Sequence, residues 1–257
     1  MMNMRPINLL SIDWDYFFPE QSHNPALMGL YDWGHRDSGK FFLEDVWVHR
    51  AMQFFAAGME LPTTSGEETS FWSRFKFSPD AKLYFADSHV HAIHPDVAED
   101  VINVVNFDAH HDGGYNQTIG KIVKSQQVDC GSWMVGYYLK GAFVQTIYPS
   151  WKKHAMKTDG KPAIPKMARR VDTGLGAFPT FDRVFVCRSG GWSPPWLDAQ
   201  FDQFLQDCPV KNGFDIGMFP RQFDVELVKT EADKLAVQMQ EWRATMTANV
   251  SGVSVSS

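Results

Sequence analysis

Two short segments carry residue types suited to divalent-metal chemistry: Asp13-Trp14-Asp15 and Asp108-Ala109-His110-His111-Asp112. Each follows directly on a short apolar run. On an extended chain, residues two apart share a face. That rule groups Asp13 with Asp15, and Asp108 with His110 and Asp112. A third apolar run ends at Asp87-Ser88-His89, with His91 as an alternative imidazole two residues on. Four carboxylates gathered in one buried space repel each other and stay ionised only if cations neutralise them. The donor set is hard, rich in oxygen and without thiolate. It favours Mn²⁺, or another octahedral divalent ion, over a structural Zn²⁺. So many carboxylates further suggest two metals sharing bridging ligands about 3.5–4 Å apart. Asp-X-Asp alone is weak, since such pairs also sit on solvated loops and cap helices. The combination at three strand ends carries the reading.

The elements that must position these residues are legible in outline. Ile7–Ile12, Lys82–Ala86, Val101–Phe107 and Arg183–Arg188 read as short strands buried on both faces, as in a parallel sheet. Residues 16–40 read as a long loop, and a helix is expected over about Phe41–Ala57, closed by Gly58. Residues 59–80 look irregular, with TTSGEETS as a surface turn. A short helical segment is expected near Pro95 and another helix over Ser132–Leu139. Pro194 and Pro195 suit the first turn of a helix over 195–207. Asp224–Arg243 has helical periodicity, and 247–257 read as a frayed tail. Strands separated by helical segments predict a three-layer α/β fold, a mainly parallel sheet flanked by helices, forming one catalytic domain over 1–246. Ligands then bind beyond the carboxyl ends of the strands.

Composition bounds the function. The chain has 257 residues, 44% of them hydrophobic and 21% charged, so it can bury a sizeable core. A net charge of −6 argues against nucleic acid as the main partner. No run of eighteen apolar residues exists to span a membrane. Asp13 and Asp15 interrupt any signal-peptide core. Three cysteines, Cys130, Cys187 and Cys208, do not make a disulfide framework, which points to a reducing, cytoplasmic setting. Oligomeric state is open, with a homo-oligomer allowed.

At these residues the chain resembles the arginases and other ureohydrolases. NFDAHHD looks like their Asp-Ala-His-X-Asp motif, SIDWDYFFP like their Ser-X-Asp-X-Asp-X-X-Asp-Pro strand, and FADSH like their Gly-Gly-Asp-His segment. The order is permuted: the Asp-X-Asp strand comes first here and late in ureohydrolases, and its last Asp is missing. This permuted arrangement is similar to a small family that includes peptide arginases, which convert arginine side chains of ribosomally made peptides to ornithine. The resemblance covers roughly residues 7–140. It implies an arginase/deacetylase-like fold and two Mn²⁺ ions per chain, with Asp13 and Asp108 bridging, His89 and Asp112 completing one site, and His110 and Asp15 the other. It implies a hydroxide nucleophile, which Asp112 could hold, and an arginine-containing precursor peptide as substrate. Glu44, opening the helix after Ser38-Gly39-Lys40, is implied to bind the guanidinium; its bland role is to complement the helix dipole.

The departures shape the expectation. Cys130 stands where arginases carry a proton-shuttling His. It either acts in that place or sits as a buried inert thiol. His111 is a second candidate for the shuttle. Gly114 replaces the Asn that holds the head group of free arginine, which favours a substrate already in peptide linkage and leaves room for its backbone. Ser132 and Trp192 join Gly114 and Glu44 as substrate-contact candidates. The basic stretch 152–170, with Asp159 as its one acid, could attract an acidic leader segment, or be ordinary solvated surface. The alternatives are a small-molecule amidinohydrolase, a deacetylase of the same fold, and a non-catalytic metal- or peptide-binding protein.

Overall fold

The computed structural model describes residues 6–19, 46–56, 58–115 and 117–251, without the side chains of 239 and 243–251. Seven strands make one parallel sheet: β1 (Ile7–Asp13), β2 (Lys76–Ala86), β3 (Val101–Phe107), β4 (Phe143–Tyr148), β5 (Ala168–Val171), β6 (Thr180–Cys187) and β7 (Gly213–Gly217). Their order is β5-β4-β3-β1-β6-β2-β7. From β1 the chain crosses to β2 on one side, then returns to β3 on the other. The carboxyl ends of β1 and β3 therefore flank a topological switch point, where an open α/β sheet leaves a crevice.

Helices cover both faces, giving three layers. On one face Leu10, Ile12, Val105, Phe107, Val184 and Val186 pack against Phe71 and Trp72 of the 3-10 segment Glu67–Arg74, and against Phe201 and Phe204 of a helix at Asp198–Asp207. On the other face Leu9, Val104, Phe185 and Cys187 meet Val97 and Ala98 of α2 (Pro95–Ala98), Ile122 of α3 (Ile119–Ser125) and Trp133–Val135 of α4 (Trp133–Leu139). The earlier α1 (Val46–Ala56) packs its Trp47 and Phe54 with Phe18 and Leu197. A short α5 (Ala155–Thr158) precedes β5; α6 is Asp198–Asp207, and α7 (Val225–Ser251) lies against α1. Burial on both faces is why the central strands read as unbroken apolar runs.

Several boundaries differ from the sequence expectation. Residues 59–80 are not irregular throughout: 67–74 form the 3-10 segment and β2 starts at Lys76, with a register shift between Phe77 and Lys82 that conceals its length. The fourth expected strand begins earlier, at Thr180, and closes at Cys187. Pro195–Leu197 is a 3-10 turn before α6 proper. The last helix continues past Arg243 into the expected tail, to Ser251. Of the expected loop 16–40, Trp14–Phe17 includes the first part as a 3-10 turn and 18–19 follow it; residues 20–40, and the start of the helix expected at Phe41, lie outside the described residues. Among the described residues no helix is long and apolar enough to cross a membrane.

Candidate metal centre

The period-2 alternation of three adjacent strands builds the floor of the site. Leu9 faces the α4 layer, so Ser11 and Asp13 do too; Val104 brings Asn106 and Asp108 with it, and Phe185 brings Cys187. Asp13 pairs in register with Cys187, and Ile12 with Phe107, which sets Asp13 and Asp108 side by side at the carboxyl edge. The side chains of Ser11, Asp13, Asn106 and Asp108 are all buried, as is Cys187.

Beyond the strands, alternation gives way to turns. Asp15 sits in the 3-10 turn capped by Asp13, whose Oδ1 accepts the Asp15 N–H at 3.0 Å. Asp15 Oδ1 accepts the Ala109 N–H at 3.1 Å and ties the two ligand segments together. Asp108 Oδ1 accepts from the His110 N–H at 2.6 Å. Asp112 has φ +48°, so the 108–112 segment is a curled loop and not the extended chain that residue spacing suggested. The same residues converge, by a different backbone route.

The result is two groups that could hold a metal ion, Asp15–Asp108–His110 and His89–Asp108–Asp112, with Asp108 in both. Asp13 joins His89 and Cys187 in a third, overlapping group. His89 Nδ1 lies 3.0 Å from Asp13 Oδ2, 3.3 Å from Asp112 Oδ2 and 3.7 Å from Asp108 Oδ2. Ser11 Oγ, 3.0 Å from His89 Nε2, and the Trp133 ring stacked 4.9 Å away fix that imidazole. His110 Nδ1 is 2.8 Å from Asp15 Oδ2 and 3.6 Å from Asp108 Oδ1. Asp15 Oδ2 is buried and accepts no hydrogen bond, so it and His110 Nδ1 approach side by side, off the line that an N–H···O bond needs. A buried carboxylate oxygen left this way suits a cation, and the donor set fits a hard divalent ion.

Electrostatics agree. Burial, then the charges of Asp15 and Asp108, push the Asp13 carboxyl well above its usual range. Burial and Asp108 do the same to Asp112. For Asp108 burial pushes upward, but hydrogen bonding from His110 and the neighbouring imidazoles outweigh it and hold the group at about 2. Burial and Lys152 lower His110, yet the carboxylates of Asp15 and Asp108 raise it well above normal. Without cations, protons must do the neutralising.

The centre opens into a cavity of about 490 Å³ lined by Asp13, His89, His110, Asp112, Tyr115, Asp129, Cys130, Gly131, Ser189 and Trp192. Of the expected contact residues, Trp192 and Cys130 line it, and Trp192 packs against His110 with ring centroids 4.6 Å apart. Ser132 is buried, with its hydroxyl on Asp129. Gly114 has φ +83°, and a Cβ there would meet Ile122 at 2.8 Å and Ala163 at 3.0 Å; it is a packing glycine, facing those residues. His111 is buried, stacked on Tyr115 at 3.9 Å, and pushed by burial and by Arg169 down to about 3. His91 lies against Gly217 of β7, which leaves His89 as the imidazole among the carboxylates. Glu44 lies outside the described residues. Within the basic stretch, Lys152 Nζ donates to the Ala109 carbonyl at 2.6 Å, and Ala168–Arg170 belong to β5.

Residue spacing missed several parts. Cys187 and Ser11 share the ligand face by simple alternation. Trp133 donates its indole N–H to Asp112 Oδ2 at 2.8 Å. Asp87, at the end of β2, is taken by Arg188 and not by the centre. Comparison of the chain with protein-family models, with curated proteins and with solved structures finds no match.

Proposed function

We propose that this protein is a binuclear manganese hydrolase that converts arginine side chains within a peptide to ornithine, releasing urea. The observation that carries the reading is the pair of largely buried Asp/His groups sharing Asp108 on the floor of an open cavity. Asp13, His89, Asp108 and Asp112 would hold one cation, and Asp15, Asp108 and His110 the other. Cations held there would supply Lewis acidity, bringing the pKa of a water molecule down towards about 7.

The chain's own residues do the rest. Trp133 fixes Asp112, and Ser11 and Trp133 fix His89, so the donors are oriented before any ligand arrives. Trp192 and Tyr115 offer aromatic wall to a planar guanidinium. Water adds its oxygen to the guanidinium carbon, the bond from that carbon to the side-chain nitrogen breaks, and the freed amine takes a proton. Ornithine and urea account for all atoms. Glu44 remains part of the proposal as a guanidinium partner. The preference for a peptide over free arginine rests on the motif resemblance alone, because Gly114 faces Ile122 and Ala163 and not the cavity.

Elemental analysis of the purified chain after manganese loading is expected to give two Mn²⁺ per chain. Mass spectrometry of an arginine-containing peptide is then expected to show a loss of about 42 mass units, the CN₂H₂ removed by this hydrolysis. Turnover of small guanidino amines without loss on peptides would replace the peptide by a small molecule. Bound metal with no turnover of either would leave a binding protein.

A further inference from the structure

The cavity holds one carboxylate that the metal groups do not use. We propose that Asp129 is a residue, beside any contribution from Glu44, through which this cavity selects a positively charged substrate side chain, an inference that rests on the hydrolase reading above. Among the described lining residues, Asp129 is the acid that stands outside the Asp/His groups, and no Lys or Arg lines the cavity to neutralise it. Once cations balance the floor, the remaining fixed charge of the wall among the described residues is this one negative group. A cation is therefore the ligand charge that the cavity favours, and an anion is disfavoured.

Asp129 is also held in place. Its Oδ1 accepts the Ser132 hydroxyl at 2.5 Å, its own N–H meets Ser132 Oγ at 3.0 Å, and its carbonyl accepts the Ser132 N–H at 3.1 Å. Ser132 is buried although Asp129 itself is exposed. Oδ2 takes part in no hydrogen bond or ion pair among the described residues. One oxygen is thus locked to the loop, while the residue is exposed and lines the cavity.

The loop is tied to the metal ligands. Gly114 donates its N–H to the Gly131 carbonyl at 2.9 Å, Met134 donates to the Asp112 carbonyl at 3.3 Å, and Trp133 reaches the Asp112 carboxylate. Gly131 presses on the Tyr115 ring so closely that a Cβ would lie 3.1 Å from it. The selecting charge and the catalytic floor are consequently parts of one rigid unit, with Tyr115 and Trp192 as aromatic wall beside them. An exposed acid on an untethered loop would lack this preorganisation and would be worth little.

The test uses the full chain loaded with manganese. For Asp129→Asn the KM for an arginine-containing peptide is expected to rise about tenfold, the loss of one charge-assisted contact, with kcat nearly unchanged. Its manganese content should match the wild type. The same peptide with citrulline in place of arginine should inhibit both proteins equally weakly. Ser132→Ala, which frees Asp129 to move, should raise KM less, and Asp129→Glu should restore much of the affinity. An unchanged KM in Asp129→Asn, loss of manganese from it, or an Asp129→Glu as weak as the Asn variant would each overturn the assignment while leaving an active wild type as a hydrolase. A manganese-loaded wild type that turns over no guanidino substrate would take down the hydrolase reading and this inference together.

Discussion

Two buried charge clusters stand at the same carboxyl edge of the sheet and are neutralised in opposite ways. In one, Asp87 at the end of β2 meets Arg188 through Nε at 2.5 Å and Nη2 at 2.8 Å; Asp198 bonds Arg188 at 3.2 Å and also Arg221. Two carboxylates face two guanidinium groups. In the other, Asp13, Asp15, Asp108, Asp112 and His89 are buried beside the half-buried His110, and no Lys or Arg side chain forms an ion pair with them among the described residues. Asp87 and His89 are two residues apart and belong to different clusters. The contrast separates acids with guanidinium partners from acids that could hold a metal ion. A buried carboxylate given its own guanidinium holds the fold; one denied it waits for a cation from solution.

The structural cluster also frames the site. Arg221 donates to the carbonyls of Gly190 and Ser193, Arg50 to Gly191, and the Trp47 indole to Gly190. These bonds hold the loop that carries Ser189 and Trp192 over the cavity.

The comparison breaks most sharply at Asp108, which both metal groups share. Asp108→Ala is expected to remove both cations and cut turnover by a factor on the order of 10³ or more, read by elemental analysis and peptide mass spectrometry. Two cations surviving in that variant would end the shared-ligand arrangement. Next in size is Arg188→Met, which strands Asp87 without its partner. It should cost about 3–5 kcal/mol in urea unfolding, with or without manganese.

A third effect separates the clusters by pH. In metal-free protein Asp13 and Asp112 have raised values when folded, so the native state binds more protons than the unfolded chain above about pH 4. Stability from this source falls as pH rises through the raised values. His110, also raised, contributes stability below about pH 6.5 that is lost in the same direction. Melting temperatures of chelated protein should therefore decline from mildly acid to alkaline pH, and manganese should abolish the decline. Asp13→Asn should flatten the slope of the chelated protein; an unchanged slope would move the source elsewhere. The smallest effect belongs to Asp172, which Arg74 and Tyr16 hold below its usual value against the effect of burial. Its contribution is present above about pH 4 and disappears as pH falls through the lower folded value, so Asp172→Asn should lessen acid destabilisation only there.

Much of the site could be read from residue types because the chemistry sits at strand ends. β1 and β3 are buried on both faces, so their apolar runs stop visibly at Asp13 and Asp108. What spacing alone misread was the route: a 3-10 turn and a left-handed Asp112 bring the ligands together, and neither leaves a period-2 trace. β4 escaped notice because Gln145 and Thr146 interrupt its apolar run, β5 because its four residues include Arg169 and Arg170, and β7 because it is a short edge strand bounded by glycines. Asp87 and Arg188 are 101 residues apart, and only the fold shows that they neutralise each other. Asp129 carried no motif; its meaning comes from the cavity it borders.

The left-handed backbone at Asp112 narrows what that position can become. Asparagine and glycine tolerate such torsion angles but bring no charge, whereas glutamate brings the charge on a backbone that resists the bend. Backbone shape and the charge that a metal ligand would need thus both favour aspartate here, for two independent reasons.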